Sequence, residues 1–118
     1  MSEGESRGRE RVPVEIGGAG EVKETGAGFD FSALDLSVMG MLVKTGDSTP
    51  KVGQTLRLTF ELPGEDGQVT PVLVEAEVMR VGHESGGTVC GVRWLEQKSA
   101  NLEELEAFYT ARFFDMMD

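Results

Sequence analysis

The sequence predicts a mainly β domain: six or so short strands in an antiparallel barrel or sandwich, followed by one C-terminal helix. Three observations carry that prediction. Apolar and polar residues alternate through much of the stretch between residues 12 and 95. Regularly spaced turns rich in Gly, Pro, Asp and Ser separate the alternating runs. After Asn101 the pattern changes to a helical period. At 118 residues the chain can hold one modest core.

Taken in order, residues 1–11 are polar, contain glycine and show no apolar period, so they read as an arm that is disordered in the free protein, ahead of a single domain over residues 12–118. VPVEI (12–16) is a short strand, and Pro13 suits an edge or a strand start. The Gly-rich, acidic stretch 17–28 reads as a loop or an irregular hairpin. FDFSALDL (29–36) alternates with Phe29, Phe31 and Ala33 on one face, and MGMLVKT (39–45) is the next strand. TLRLTFEL (55–62) has the clearest period of two, with Leu56, Leu58, Phe60 and Leu62 directed inward.

A long strand over 69–81 turns Val72, Val74, Ala76 and Val78 inward, residues 82–87 are a turn, and TVCGVRWL (88–95) is the last strand. Leu102, Leu105, Phe108, Tyr109, Phe113 and Met116 then form one apolar stripe on a helix over about 101–115. Asn101 is its expected N-cap, and Glu103 and Glu104 suit the positive end of its dipole. The sequence holds no internal repeat.

Composition narrows the function. A hydrophobic content of 39% with 27% charged residues is that of an ordinary globular domain. A net charge of -10 repels a nucleic-acid backbone, so neither DNA nor RNA is an expected partner. No apolar run is long enough to span a membrane and the N-terminus lacks a signal-like apolar region, so no membrane is expected either. Cys90 is the single cysteine, which excludes an internal disulfide and fits a reducing, cytoplasmic compartment. No nucleophile–base or acid–base constellation stands out, so neither an enzyme nor a bound cofactor is expected. His83, alone in a Gly-rich turn, reads as exposed, Cys90 as a small buried strand residue, and Trp94 and the helix phenylalanines as core.

The distribution of charge is the informative part. Arg7, Arg9 and Arg11 fall within five residues, against 11 Lys and Arg in the whole chain. They lie in R7-G-R-E-R11, just before the first strand, and D35-L-S37-V-M-G40 follows at a strand junction. An RxxxR motif followed by DxSxxG, on this strand-then-helix frame, resembles the PilZ domain family, and the likeness extends to Val12–Val14, to GVRWL (91–95) and to the C-terminal helix. Gly8 stands where many members carry a second arginine, and Met39 where glycine is common.

The resemblance implies a six-stranded antiparallel PilZ-type barrel with a C-terminal helix, and a receptor for the bacterial second messenger cyclic di-GMP. It implies that Arg7 and Arg11 meet phosphate and base, Asp35 and Ser37 meet guanine, and Gly40 gives clearance, with Arg9 as an electrostatic helper. The residue chemistry agrees. An arginine fork grips phosphate or the guanine O6/N7 edge bidentately and stacks on a purine face. The Asp35 carboxylate accepts from guanine N1–H and N2–H, Ser37 is expected two residues on along the same strand face, and Gly40 lets backbone approach closely.

The expected mechanism is a ligand-driven ordering of the arginine arm, read by a downstream protein that controls motility, adhesion or exopolysaccharide output. The alternative is a PilZ-like adaptor that no longer binds nucleotide and works by protein contacts. The expected assembly is a monomer or a weak dimer, with the end of the helix, FFDMMD, as the surface available to a partner or a second copy.

Overall fold

Alternation builds the barrel wall. In a computed structural model, which describes residues 11–46, 48–64, 67–84, 86–95 and 102–117, the chain forms β1 (Val12–Val22), β2 (Gly28–Leu36), β3 (Gly40–Gly46), β4 (Thr55–Pro63), β5 (Val69–Glu84), β6 (Gly87–Trp94) and α1 (Leu102–Met117). The strands pair antiparallel in the order β1-β2-β3-β6-β5-β4, and β1 closes the ring by pairing Gly18–Val22 with Leu56–Phe60 of β4. The barrel and the C-terminal helix are those expected. Residues 1–10, which hold Arg7, Arg9 and most of the expected arm, lie outside the described residues, as do Asn101 and residues 96–100.

The inward residues of β4 and β5 are the predicted ones. Leu56, Leu58, Phe60 and Leu62 face Val72, Val74, Ala76 and Val78, and none is more than 4% exposed. Each of these side chains other than the small Ala76 gains about 1.5–3 kcal/mol from leaving water, which is what holds a closed β ring of this size together. Leu105 and Tyr109 of α1 join the same core, with Leu102, Phe108 and Phe113 packed at its margin. Phe114 does not follow them; it is 47% exposed. Cys90 is fully buried in β6, and Trp94 is buried on the same strand.

Two stretches expected in outline take a definite form, each with a clear cause. The Gly-rich stretch 17–28, expected as a loop or an irregular hairpin, is a hairpin: residues 17–22 complete β1 and pair with β2 from Gly28 onward. Gly18 pairs with Phe31 and Gly20 with Phe29, and a Cβ on either glycine would stand 2.5–2.7 Å from a phenylalanine ring carbon. Aromatic rings laid across bare glycine backbone replace the missing side chains, so composition hides a real strand. The turn expected over 82–87 is also tighter, because β5 and β6 remain paired out to Glu84 and Gly87. Gly86 and Gly87 reverse the chain with φ of 96° and 139°, conformations open to glycine. His83 is exposed, as expected, but on a strand opposite Thr88.

Of the four register shifts among the described residues of the barrel, two bulges reset the alternation beside the β2–β3 junction and in β5. In β2, Ala33 pairs with Val43 and Asp35 with Leu42, so Leu34 is an extra residue. Without it Asp35 would share the inward parity of Phe31 and Ala33; with it, Leu36 takes the core and Asp35 turns toward the surface. In β5, Val78 pairs with Val92 and Arg80 with Gly91, which makes Met79 the extra residue.

Candidate functional site

The β2–β3 junction is organised by Ser37. Its backbone N–H donates to the Gly40 carbonyl at 2.9 Å, and its Oγ accepts from the amides of Met39 at 3.3 Å and Gly40 at 3.2 Å. The hydroxyl returns a hydrogen bond to the Gly40 carbonyl at 3.3 Å. Ser37 therefore does not lie on a strand face beside Asp35, as its spacing suggested. It sits past the end of β2, buried, with its oxygen engaged in closing the turn.

Gly40 has an equally local task. A Cβ there would lie 1.9 Å from the Val92 carbonyl oxygen and 3.0 Å from the Arg93 Cα, so β3 reaches β6 only because this position has no side chain. The Trp94 amide donates to the Met39 carbonyl at 2.9 Å and fastens the turn to β6 from the other side.

Against this turn stands the start of the domain. Arg11 Nη1 and Asp35 Oδ1 are 2.6 Å apart, joining the end of the arm to the bulged end of β2. Arg11, Ser37, Met39 and Gly40 then share an open hollow of about 220 Å³ with Met79 and Arg80 of β5 and Gly91–Arg93 of β6. Arg93 donates across the strands to Glu77 at 3.3 Å. Three arginines thus line the hollow on a chain of net charge -10, with the exposed side chains of Met39 and Met79 beside them.

Other polar groups are accounted for elsewhere. The buried Glu75 is held between Lys23 at 3.2 Å and Arg57 at 3.5 Å. Burial pushes the Cys90 thiol up, only partly offset by a hydrogen bond with Thr45. Hydrogen bonds from the Thr55 amide hold Glu24 below its ordinary value. Among the described residues, no group of three or more His, Cys, Asp or Glu side chains stands close enough to hold a metal ion, and no helix is long and apolar enough to cross a membrane.

Residues 5–111 match the family described as PilZ domain. The chain belongs to the PilZ family. Solved structures agree on the fold. The inhibitor of motility MotI/DgrA of Bacillus subtilis superposes with a TM-score of 0.74 at 19% identity, covering 89% of this chain and 50% of that one. This PilZ chain therefore spans about half the length of MotI. The PilZ domain of Escherichia coli YcgR, solved with c-di-GMP, gives 0.66 at 13% identity, covering 91% of both chains. The PilZ domain of CeSA from a cellulose-synthesizing bacterium gives 0.59 at 18% identity, covering 92% of this chain and 99% of that one. Among curated proteins, none matches the sequence.

Of the residues singled out by the PilZ motifs, the structure brings Arg11, Ser37 and Gly40 to one hollow and ties Asp35 to Arg11. Arg7 and Arg9 lie outside the described residues. Met79, Arg80 and Arg93 also line the hollow, and the motifs do not contain them. Arg93 had a signal, since it is the outward residue between the inward Val92 and Trp94. Arg80 had none, because strict alternation from Val78 would have turned it inward.

Proposed function

We propose that this PilZ domain is a receptor for cyclic di-GMP, a binding module rather than an enzyme, with the ligand seated on the hollow between the β2–β3 turn and β6. The single observation that supports this most is the convergence of Arg11, Arg80 and Arg93 on one open surface of an acidic chain, beside the Ser37–Gly40 turn. A compact anion with two phosphates and two flat guanines matches what the hollow offers. Guanidinium forks suit phosphate and guanine edges, and exposed methionine faces suit a purine ring.

The Arg11–Asp35 ion pair gives the reading a mechanism. Arg11 spans the junction between arm and barrel, so a ligand that recruits Arg11 or Asp35 acts on the point where the arm leaves the domain. Arg7 and Arg9 then close over the ligand, and the rearranged surface is what a downstream protein recognises. Charge-assisted hydrogen bonds net about 1.5–3 kcal/mol each. Several of them, less about 2–5 kcal/mol for ordering the arm, correspond to a roughly micromolar Kd, near -8 kcal/mol. YcgR, whose PilZ domain was solved with c-di-GMP, lends the fold-level precedent.

Titration calorimetry with cyclic di-GMP tests the proposal on the wild type and Arg11→Ala. The expected result is wild-type heat in the micromolar range and its near-abolition by Arg11→Ala. Equal binding by both proteins would discard this site. Absence of wild-type heat would leave the domain as an adaptor that works by protein contacts alone.

A further inference from the structure

We infer that Arg80 is a further ligand-binding arginine of this site, gripping a phosphate of the nucleotide, and that Gly91 is the residue that positions it; the inference rests on the receptor reading above. Neither residue belongs to the RxxxR or DxSxxG motif.

The β5 bulge delivers Arg80. With Met79 as the extra residue between the Val78–Val92 and Arg80–Gly91 pairs, two consecutive side chains, Met79 and Arg80, both emerge on the outside and both line the hollow. Bulges that re-aim a side chain gather near binding sites.

Gly91 makes room for it. A Cβ at position 91 would stand 2.8 Å from Arg80 Nε, 3.0 Å from Cγ and 3.4 Å from Cδ, so the arginine lies across the β6 backbone where a side chain would otherwise project. Gly91 is not among the glycines with positive φ, so the backbone conformation does not call for glycine there. The missing side chain serves the arginine.

Charge completes the case. Arg11 is engaged by Asp35 and Arg93 by Glu77, whereas Arg80 makes no ion pair among the described residues. A guanidinium with no ion pair among the described residues, on a side chain that lines the hollow, can take up an anion without first giving up a carboxylate. Its planar, five-donor geometry fits the paired oxygens of a phosphate. Met79, its neighbour in the bulge, is 45% exposed and Met39 57%, apolar surface of the kind a guanine would cover.

The test is calorimetry with cyclic di-GMP on the wild type, Arg11→Ala, Arg80→Ala, Arg80→Lys, Gly91→Ala and the Arg80→Ala/Gly91→Ala pair, with a melting curve for each. Arg80→Ala is expected to weaken binding about tenfold or more, the loss of one charge-assisted contact. Arg80→Lys should recover only part of it, since a point charge replaces a fork. Gly91→Ala should weaken binding too, and the double variant should bind no worse than Arg80→Ala alone, because the two changes remove one interaction. The melting point of Arg80→Ala should stay with the wild type.

Wild-type affinity in Arg80→Ala, with Arg11→Ala impaired, overturns the inference and leaves the receptor reading standing. No heat from the wild type overturns both. Additive losses in the double variant overturn the positioning role of Gly91. Should Gly91→Ala fail to fold, Arg80→Ala and Arg80→Lys still decide the ligand contact.

Discussion

Replacing Gly40 with alanine would bring a methyl carbon to 1.9 Å from the Val92 carbonyl oxygen, 2.9 Å from its carbonyl carbon and 3.0 Å from the Arg93 Cα. All three are backbone atoms of a paired strand, and no side-chain rotamer relieves the overlap. Overpacking of this kind costs about 1–3 kcal/mol even where neighbours can shift. Here β3 must also draw away from β6, which strains the Ser37–Gly40 and Trp94–Met39 backbone hydrogen bonds, each with a net value of about 0.5–1.5 kcal/mol. The expected destabilisation is about 3–5 kcal/mol, a large share of the roughly 5–15 kcal/mol that keeps a domain folded. At about 4 °C per kcal/mol for a domain of this size, the melting point should fall by roughly 12–20 °C. Urea unfolding followed through Trp94, the only tryptophan, measures it as a lower midpoint at unchanged slope. A loss below about 0.5 kcal/mol would refute the view that Gly40 serves the barrel's own backbone contact.

The same geometry sets four further outcomes. Ser37→Ala removes the acceptor shared by the Met39 and Gly40 amides and should cost about 1–3 kcal/mol in the same urea assay, in the absence of any ligand. Phe31→Ala uncovers Gly18 as well as the core and should cost about 3–5 kcal/mol, whereas Phe114→Ala on exposed helix surface should change stability by less than about 0.5 kcal/mol. Cys90, buried and with its thiol pushed up, should react with a thiol reagent at neutral pH only as fast as the protein unfolds, and fast labelling in native buffer would contradict its placement. Glu24 is held below its ordinary 4.5 by the Thr55 amide, so its contribution is present above that value and is lost as pH falls through the lower folded one. Urea midpoints of Glu24→Gln should therefore decline less on acidification than those of the wild type.

Strands that obey strict alternation are legible from residue order alone: β4 and most of β5 place every predicted residue in the core. Local devices hide the rest. Glycine composition disguises the second half of β1 because its side-chain bulk is supplied by Phe29 and Phe31, which lie on another strand. The single-residue bulges at Leu34 and Met79 carry no composition signal, yet they decide that Asp35 and Arg80 point outward. Ser37 and Gly40 are legible as motif positions, but spacing alone suggests a shared strand face for Ser37 and Asp35. Only the hydrogen bonds show a turn held shut by the hydroxyl, and only the backbone packing shows a strand crossing that has no room for a Cβ. Arg80 reaches the hollow through the bulge and Gly91, neither of which belongs to the RxxxR or DxSxxG motif.

Whether the hollow is where cyclic di-GMP binds can be read from an amide correlation spectrum of the isotope-labelled protein, recorded with and without excess nucleotide. Movement is expected at Arg11, Asp35–Gly40, Met79, Arg80 and Gly91–Arg93, with the β4 amides from Leu56 to Leu62 staying in place. A spectrum in which those site resonances do not move, or in which the changes centre on α1 instead, would contradict the receptor reading.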